Sequence, residues 1–90
     1  MFNLRVLTPD SIFYDEHVSS VVVPAALGYL GVLTDHAPLI ASLKEGIVTV
    51  RRKEEHHYYK ISGGFIEVNH NKVYLLVDYI ESISPPSESS

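Results

Sequence analysis

Cysteine is absent from the chain, which excludes a disulfide framework and any thiolate metal site. Its absence fits a reducing compartment without proving one. Basic charge is also scarce: seven Lys and Arg face eleven Asp and Glu, for a formal net charge of -4. The one basic cluster, Arg51-Arg52-Lys53, runs straight into Glu54-Glu55. The electrostatic footprint of a nucleic-acid binder is therefore missing, and no nucleic-acid partner is expected. The first residues lack the basic start, apolar centre and small-residue cleavage site of a secretion signal. The longest uncharged run, residues 18–34, contains Pro24, Gly28 and Gly31. It is also shorter than the roughly 20 residues a membrane-spanning helix needs, so the chain is not expected to enter a bilayer itself. Finally, no stretch carries the i, i+3, i+4, i+7 spacing of an amphipathic helix with caps.

What remains is β-rich. Apolar residues make up 46% of the chain and charged residues 20%, a globular composition rather than a disordered one. Ninety residues make one domain with a modest core. Residues 2–8 alternate Phe2, Leu4 and Val6 with Asn3 and Arg5, which predicts a half-buried strand. Pro9-Asp10 turns the chain. A second strand is expected at residues 12–14, a polar stretch at 15–17, and a β-branched third strand at 18–23 that Pro24 stops. Short strands follow around Tyr29-Leu30 and over residues 37–43. Residues 47–51 and 58–62 read as a hairpin with its charged tip at 52–57. Residues 65–68 and 73–77 read as another across Asn69-His70-Asn71, and residues 79–83 as a last strand. Gly63-Gly64 marks a bulge or a close approach of backbones. Many short strands with turns between them predict an all-β fold, a β-sandwich of about ten strands. It spans residues 1–84, and residues 85–90 form a disordered Ser/Pro tail.

The stretch 21–43 is the most telling. Asp35 is its only formal charge, yet its prolines and glycines forbid one long helix. Its apolar positions do not alternate cleanly with polar ones, so both faces of its strands need cover. In so short a protein, part of that cover is expected from another chain.

Catalytic chemistry is not visible. His56 and His57 are adjacent and point to opposite faces on a strand, while His17, His36 and His70 are scattered. No set of converging metal ligands results, and the histidines of the hairpins read as solvated. Ser62-Gly63-Gly64 lacks the G-x-S-x-G frame of a nucleophile turn, and Gly28 and Gly31 belong to no phosphate loop. No catalytic, cofactor-binding or metal-binding residue is therefore assigned. His36 stays open between two readings: its imidazole bonds within a turn that Asp35 opens, or it sits at the rim of a partner surface.

Residues 28–39 read Gly28-Tyr29-Leu30-Gly31-Val32-Leu33-Thr34-Asp35-His36-Ala37-Pro38-Leu39. Gly28, Leu30, Gly31, His36, Ala37, Pro38 and Leu39 agree with the G-E-L-G-I/V-L/Y-P-G-H-A-P-L signature of the epsilon subunit family of F-type ATP synthases. Lys44-Glu45-Gly46 and Val48 match its K-x-G-x-V segment. Residues 62–68 resemble its S-G-G-F/I-x-E-V run, and residues 73–78 its V-x-x-L-x-D/E strand. The motifs come in family order across nearly the whole chain, so the chain resembles the amino-terminal β-sandwich domain of that family. It departs at Tyr29, where the signature has an acid, and at Thr34-Asp35, where it has Pro-Gly. It also stops at Ser90, where the family usually adds two helices; a short natural subunit and a truncated one are both compatible with that.

The resemblance implies a non-catalytic rotor subunit of the central stalk. Such a subunit joins gamma to the c ring and couples proton flow to ATP synthesis. By family position, Gly28, Tyr29 and Leu30 face the c ring, and His36, Ala37, Pro38 and Leu39 lie near gamma. Membrane contact comes only through the complex, on the cytoplasmic face of a bacterial inner membrane. Without the helices, inhibition of ATP hydrolysis by that route is not expected. The competing readings are a free-standing ligand-binding sandwich that uses Tyr58, Tyr59 and Tyr74 as platforms, and a small histidine-dependent enzyme.

Overall fold

The computed structural model describes residues 1–85 as ten strands: β1 (Phe2–Leu7), β2 (Ile12–Val18), β3 (Ser20–Ala25), β4 (Gly28–Leu33), β5 (Leu39–Leu43), β6 (Gly46–Arg52), β7 (Glu55–Ile61), β8 (Gly64–Asn69), β9 (Lys72–Val77) and β10 (Ile80–Ile83). Hydrogen bonding runs β10-β7-β6-β3-β5-β8-β9-β1-β2, with β4 on the other edge of β3. The path folds over at one residue pair, Ala25 opposite Leu43. One layer is thus β10-β7-β6-β3-β4 and the other β5-β8-β9-β1-β2. Pairing is antiparallel except between β1 and β9.

The chain builds the two layers by bending rather than by long connections. β2 passes into β3 at Ser19, β5 into β6 at Lys44-Glu45, β7 into β8 at Ser62-Gly63, and β9 into β10 at Asp78-Tyr79. Each bend moves the chain from one layer to the other, the corner device of packed sheets. The alternating residues then do what a period of two demands. Phe2, Leu4 and Val6 of β1, Val21 and Val23 of β3, Val48 and Val50 of β6, Ile66 and Val68 of β8, and Val73, Leu75 and Val77 of β9 are all buried in one cluster. Among the described residues, no polar or charged residue is buried with them. At about 25 cal/mol per Å² of apolar surface, this cluster is the main source of stability.

Two glycines shape the bend from β7 into β8. Gly64 has φ 145°, and a β-carbon there would run into the carbonyl of Leu76 on β9. Gly63 has φ 121°, with the Leu43 carbonyl 3.2 Å from where its β-carbon would stand. The Gly63-Gly64 pair is therefore a close backbone approach, one of the two options its sequence raised.

Several boundaries differ from the sequence expectation. The polar residues 15–17 are not a break but the body of β2, which faces solvent and pairs with β1. Val18 belongs to β2, and the bend falls at Ser19. Pro24 does not stop β3; it lies within it, opposite Tyr29. The tip of the β6–β7 hairpin shrinks to Lys53-Glu54, so His56 and His57 are in β7. Charge had suggested loop at both places, but exposed strands carry charge readily on their solvent side. Tyr79 lies in the bend before β10. The tail expected at residues 85–90 lies outside the described residues apart from Pro85.

Candidate functional site

The stretch 21–43 supplies β3, β4 and β5 and the turns between them. β3 and β4 form a hairpin through Ala26-Leu27, with Ala25 opposite Gly28, Pro24 opposite Tyr29 and Val23 opposite Leu30. Gly28 has φ 138°, which lets the chain leave the tight turn. A hairpin tip normally carries polar or turn-forming residues, but here Leu27 stands fully in solvent. Tyr29, Leu33 and Ile40 are also largely exposed, at 63%, 61% and 74%. Leu30 and Leu39 are half-buried and packed against the core.

Leu27, Tyr29, Leu30 and Leu39 help frame one apolar cleft, while Leu33 and Ile40 lie outside it. Leu27, Gly28, Tyr29 and Leu30 form one wall, and Leu39 and Ala41 of β5 form another. None of the lining residues is charged. Gly46 supports Tyr29 from behind: a β-carbon at Gly46 would lie 2.8 Å from the Pro24 ring and 3.5 Å from the Tyr29 hydroxyl. Scattered exposed apolar side chains are ordinary, but a contiguous uncharged cleft with a Leu and a Tyr at its mouth has the character of an interaction surface.

The seven residues singled out by the resemblance fall into two groups, with Leu39 beside the first rather than the second. Gly28, Tyr29, Leu30 and Leu39 share the cleft, while His36, Ala37 and Pro38 lie at the turn between β4 and β5, against His70-Asn71 of the β8–β9 turn. There the His36 amide donates to the Leu33 carbonyl at 3.2 Å, and His36 Nδ1 lies 2.7 Å from the Ala37 carbonyl. His36 thus bonds within its turn, as one of its two readings held. Asp35 takes φ 65° and does not bond locally through its side chain. Instead its amide donates to Asn71 Oδ1 at 2.6 Å, and Asn71 Nδ2 donates back to Asp35 Oδ1 at 2.8 Å. Sequence reasoning missed Leu27, Ala41 and Asn71. Leu27 carried a signal, an apolar residue at a turn tip; Asn71 carried none, because its partner is 36 residues away.

The tyrosine platform does not form. Tyr58 and Tyr59 belong to β7 and Tyr74 to β9, in opposite layers. Tyr59 instead meets Phe13 edge-on at 5.7 Å and Tyr14 at 6.0 Å, between β7 and β2. Burial raises the phenol pKa of both Tyr14 and Tyr59, and the neighbouring Tyr59 raises that of Tyr14 further. Among the described residues, no three His, Cys, Asp or Glu side chains gather as a metal site.

Comparison with known proteins agrees with the geometry. The family model described as the ATP synthase delta/epsilon chain β-sandwich domain matches residues 1–83. An ATP synthase epsilon chain of Leptospira borgpetersenii is 42% identical over 77 residues, covering 86% of this chain and 61% of its own length. One from Moorella thermoacetica is 42% identical over 80 residues, covering 88% and 60%. The chain thus spans about three fifths of these curated relatives. A chain in the cryo-EM structure of the Euglena gracilis mitochondrial ATP synthase, OSCP/F1/c-ring in rotational state 1, superposes with a TM-score of 0.84 at 27% identity, covering 88% of this chain and 51% of that one. A chain from the central stalk and c ring of the Tetrahymena thermophila mitochondrial ATP synthase, at 15% identity and a TM-score of 0.77 over 88% of this chain and 64% of that one, shares the fold.

Proposed function

The chain belongs to the ATP synthase delta/epsilon β-sandwich family, and from that premise we propose that it is a non-catalytic epsilon subunit of an F-type ATP synthase. It links the gamma subunit to the c ring in the central stalk and helps couple proton flow to ATP synthesis. It sits on the complex at the cytoplasmic face of a bacterial inner membrane and touches the membrane only through its partners. The observation that carries this reading is the family match across residues 1–83, on a sandwich that superposes on a chain of an F1/c-ring assembly.

The physical character of the described domain fits the role. A rotor part must transmit torque without deforming, and two bent layers around one apolar cluster make a stiff body. It must also be gripped, and the uncharged cleft beside β4 offers apolar area of the kind found at the centre of interfaces. Gly28, Tyr29 and Leu30 are assigned to the c ring, and His36, Ala37, Pro38 and Leu39 to gamma. Leu39 lies in the cleft with the first group, so the two contacts meet there. Tyr29 stands where the family signature has an acid. It brings stacking area and a hydroxyl in place of a charge.

The test is co-purification. The tagged chain, expressed with its cognate gamma and c ring, should recover both. A chain that stays monodisperse when mixed with gamma and ring would overturn the assignment. A glycan or peptide recovered instead would favour the free-standing module, which the separation of Tyr58 and Tyr59 from Tyr74 argues against.

A further inference from the structure

We propose that the reciprocal Asp35–Asn71 contact is a positioning clamp, holding residues 36–39 in the conformation in which they dock on a partner. The docking half of this inference rests on the function proposed above, where the partner is gamma; the ordering half stands on the isolated chain.

Packing does little to hold this segment. Thr34, Asp35, Ala37 and Pro38 are all exposed, and His36 and Leu39 are only half-buried. A loop with so little burial keeps one shape only where hydrogen bonds fix it. His36 closes one side of the turn through Leu33 and Ala37. The other side is closed from a distant hairpin: the Asp35 amide gives to Asn71 Oδ1 at 2.6 Å and the Asn71 amide group gives to Asp35 Oδ1 at 2.8 Å. The Asn71 side chain takes part in both bonds and cannot turn away without breaking both, whereas the Asp35 side chain holds one of them and its backbone amide the other.

The backbone favours the same arrangement. Asp35 sits at φ 65°, and the two turn residues it meets, His70 and Asn71, sit at 52° and 62°. Consecutive left-handed residues are the mark of a two-residue hairpin turn, where Asn is well suited. That turn aims Asn71 at Asp35. At residue 35, glycine would supply the left-handed conformation alone; aspartate tolerates it and adds an acceptor. The signature's Pro-Gly has thus become Thr34-Asp35 together with a tether to the β8–β9 turn.

Three variants separate the clamp from backbone strain. Asn71→Gly removes the clamp and suits the hairpin turn. Asp35→Gly keeps the left-handed turn but removes the acceptor. Asp35→Asn keeps both. Amide exchange at His36, Ala37 and Leu39 is read in the full chain, and affinity for purified gamma alongside it. Both glycine variants should speed exchange and weaken gamma binding, Asn71→Gly by about tenfold because it loses both bonds, and Asp35→Gly by about threefold to fivefold because its backbone amide still donates to Asn71. Asp35→Asn should stay within about twofold of the parent, since its side-chain oxygen still accepts. Unchanged exchange in Asn71→Gly and Asp35→Gly overturns the clamp. Faster exchange with unchanged gamma affinity overturns its docking role. A parent chain that does not bind gamma at all brings down the functional reading, and the docking half with it, while the exchange result still decides the ordering half.

Discussion

Two corners of the sandwich could hardly be finished more differently. At the Ser19 corner, β2 bends into β3 and most polar side chains find a partner among the described residues, although Arg5 Nε is buried without one. The Ser19 amide donates to the Arg51 carbonyl at 2.8 Å, and Ser19 Oγ takes the Lys53 amide at 3.3 Å. Arg52 pairs with Glu16, Arg5 pairs with Asp15, and Phe13, Tyr14 and Tyr59 pack edge-on. At the Ala25–Leu43 corner the backbone is equally well tied, with the Lys44 amide on the Pro24 carbonyl and the Ala26 amide on the Ser42 carbonyl. Yet its side chains are left open: Leu27 and Tyr29 face solvent around an uncharged cleft. Similar bends thus carry opposite surfaces, one closed by its own aromatics and charges, the other apolar and uncovered. An isolated domain gains nothing from the second kind, which is why the proposed contact face is placed there.

The largest effect should come from the tight side of the open corner. Gly64→Ala places a methyl group against the Leu76 carbonyl at φ 145° and should cost about 3 kcal/mol or more, read by urea unfolding. Gly28→Ala, with φ 138° but nothing within 4 Å, should cost only the backbone strain, about 1 to 2 kcal/mol. Equal losses would show that the corner is not as open as its cleft suggests.

The next pair exchanges stability for binding. Tyr59→Ala removes a half-buried ring from the closed seam and should lower stability by about 2 kcal/mol while leaving association with the ring intact. Tyr29→Ala, on an exposed ring, should lower stability by about 0.5 kcal/mol or less yet weaken docking on the ring clearly. If Tyr29→Ala lost stability and binding alike, the contrast between the corners would fail.

A pH titration reads the same seam. The phenols of Tyr14 and Tyr59 are raised above 10.0 by burial, with their mutual proximity adding to Tyr14. Their folded pKa is higher than their unfolded one, so the stabilising difference is fully present below about pH 10 and is lost as the pH rises through the folded values. Chemical denaturation between pH 9 and 11 should show a decline that is shallower in Tyr59→Phe. An identical slope in that variant would remove the phenol from the account.

Much of this contrast was legible in the sequence, and the reason is local. Phe2, Leu4 and Val6, or Val73, Leu75 and Val77, alternate because one face of a strand is buried, and that needs no distant information. Uncovered apolar residues in stretch 21–43 likewise showed as broken alternation. What escaped were features fixed by contacts far apart in the chain. Asp15, Glu16 and His17 looked like loop because their partners Arg5, Leu4 and Asn3 lie on β1. Pro24 looked like a stop, but β3 accommodates it next to the open corner, where Gly46 leaves room for its ring. The family position puts Leu39 with His36, although β5 returns it to the cleft. Asn71 had no local pattern at all, since only the folded pairing of two turns gives it a role.

The smallest expected effect concerns the ion pairs of the closed corner. Arg52 and Glu16 approach to 3.5 Å, but their side chains are 45% and 47% exposed. Water and salt screen such a pair, and ordering two long side chains offsets part of its attraction. Arg52→Ala and Glu16→Ala in a double-mutant cycle should therefore reveal a coupling of about 0.5 kcal/mol or less, shrinking further in high salt. The aromatic contacts of Tyr59 would then be what closes this corner, because they exclude water from both layers at once. A coupling above about 1 kcal/mol that survives high salt would assign the closure to charge, and the two corners would then differ in electrostatics rather than in buried ring area.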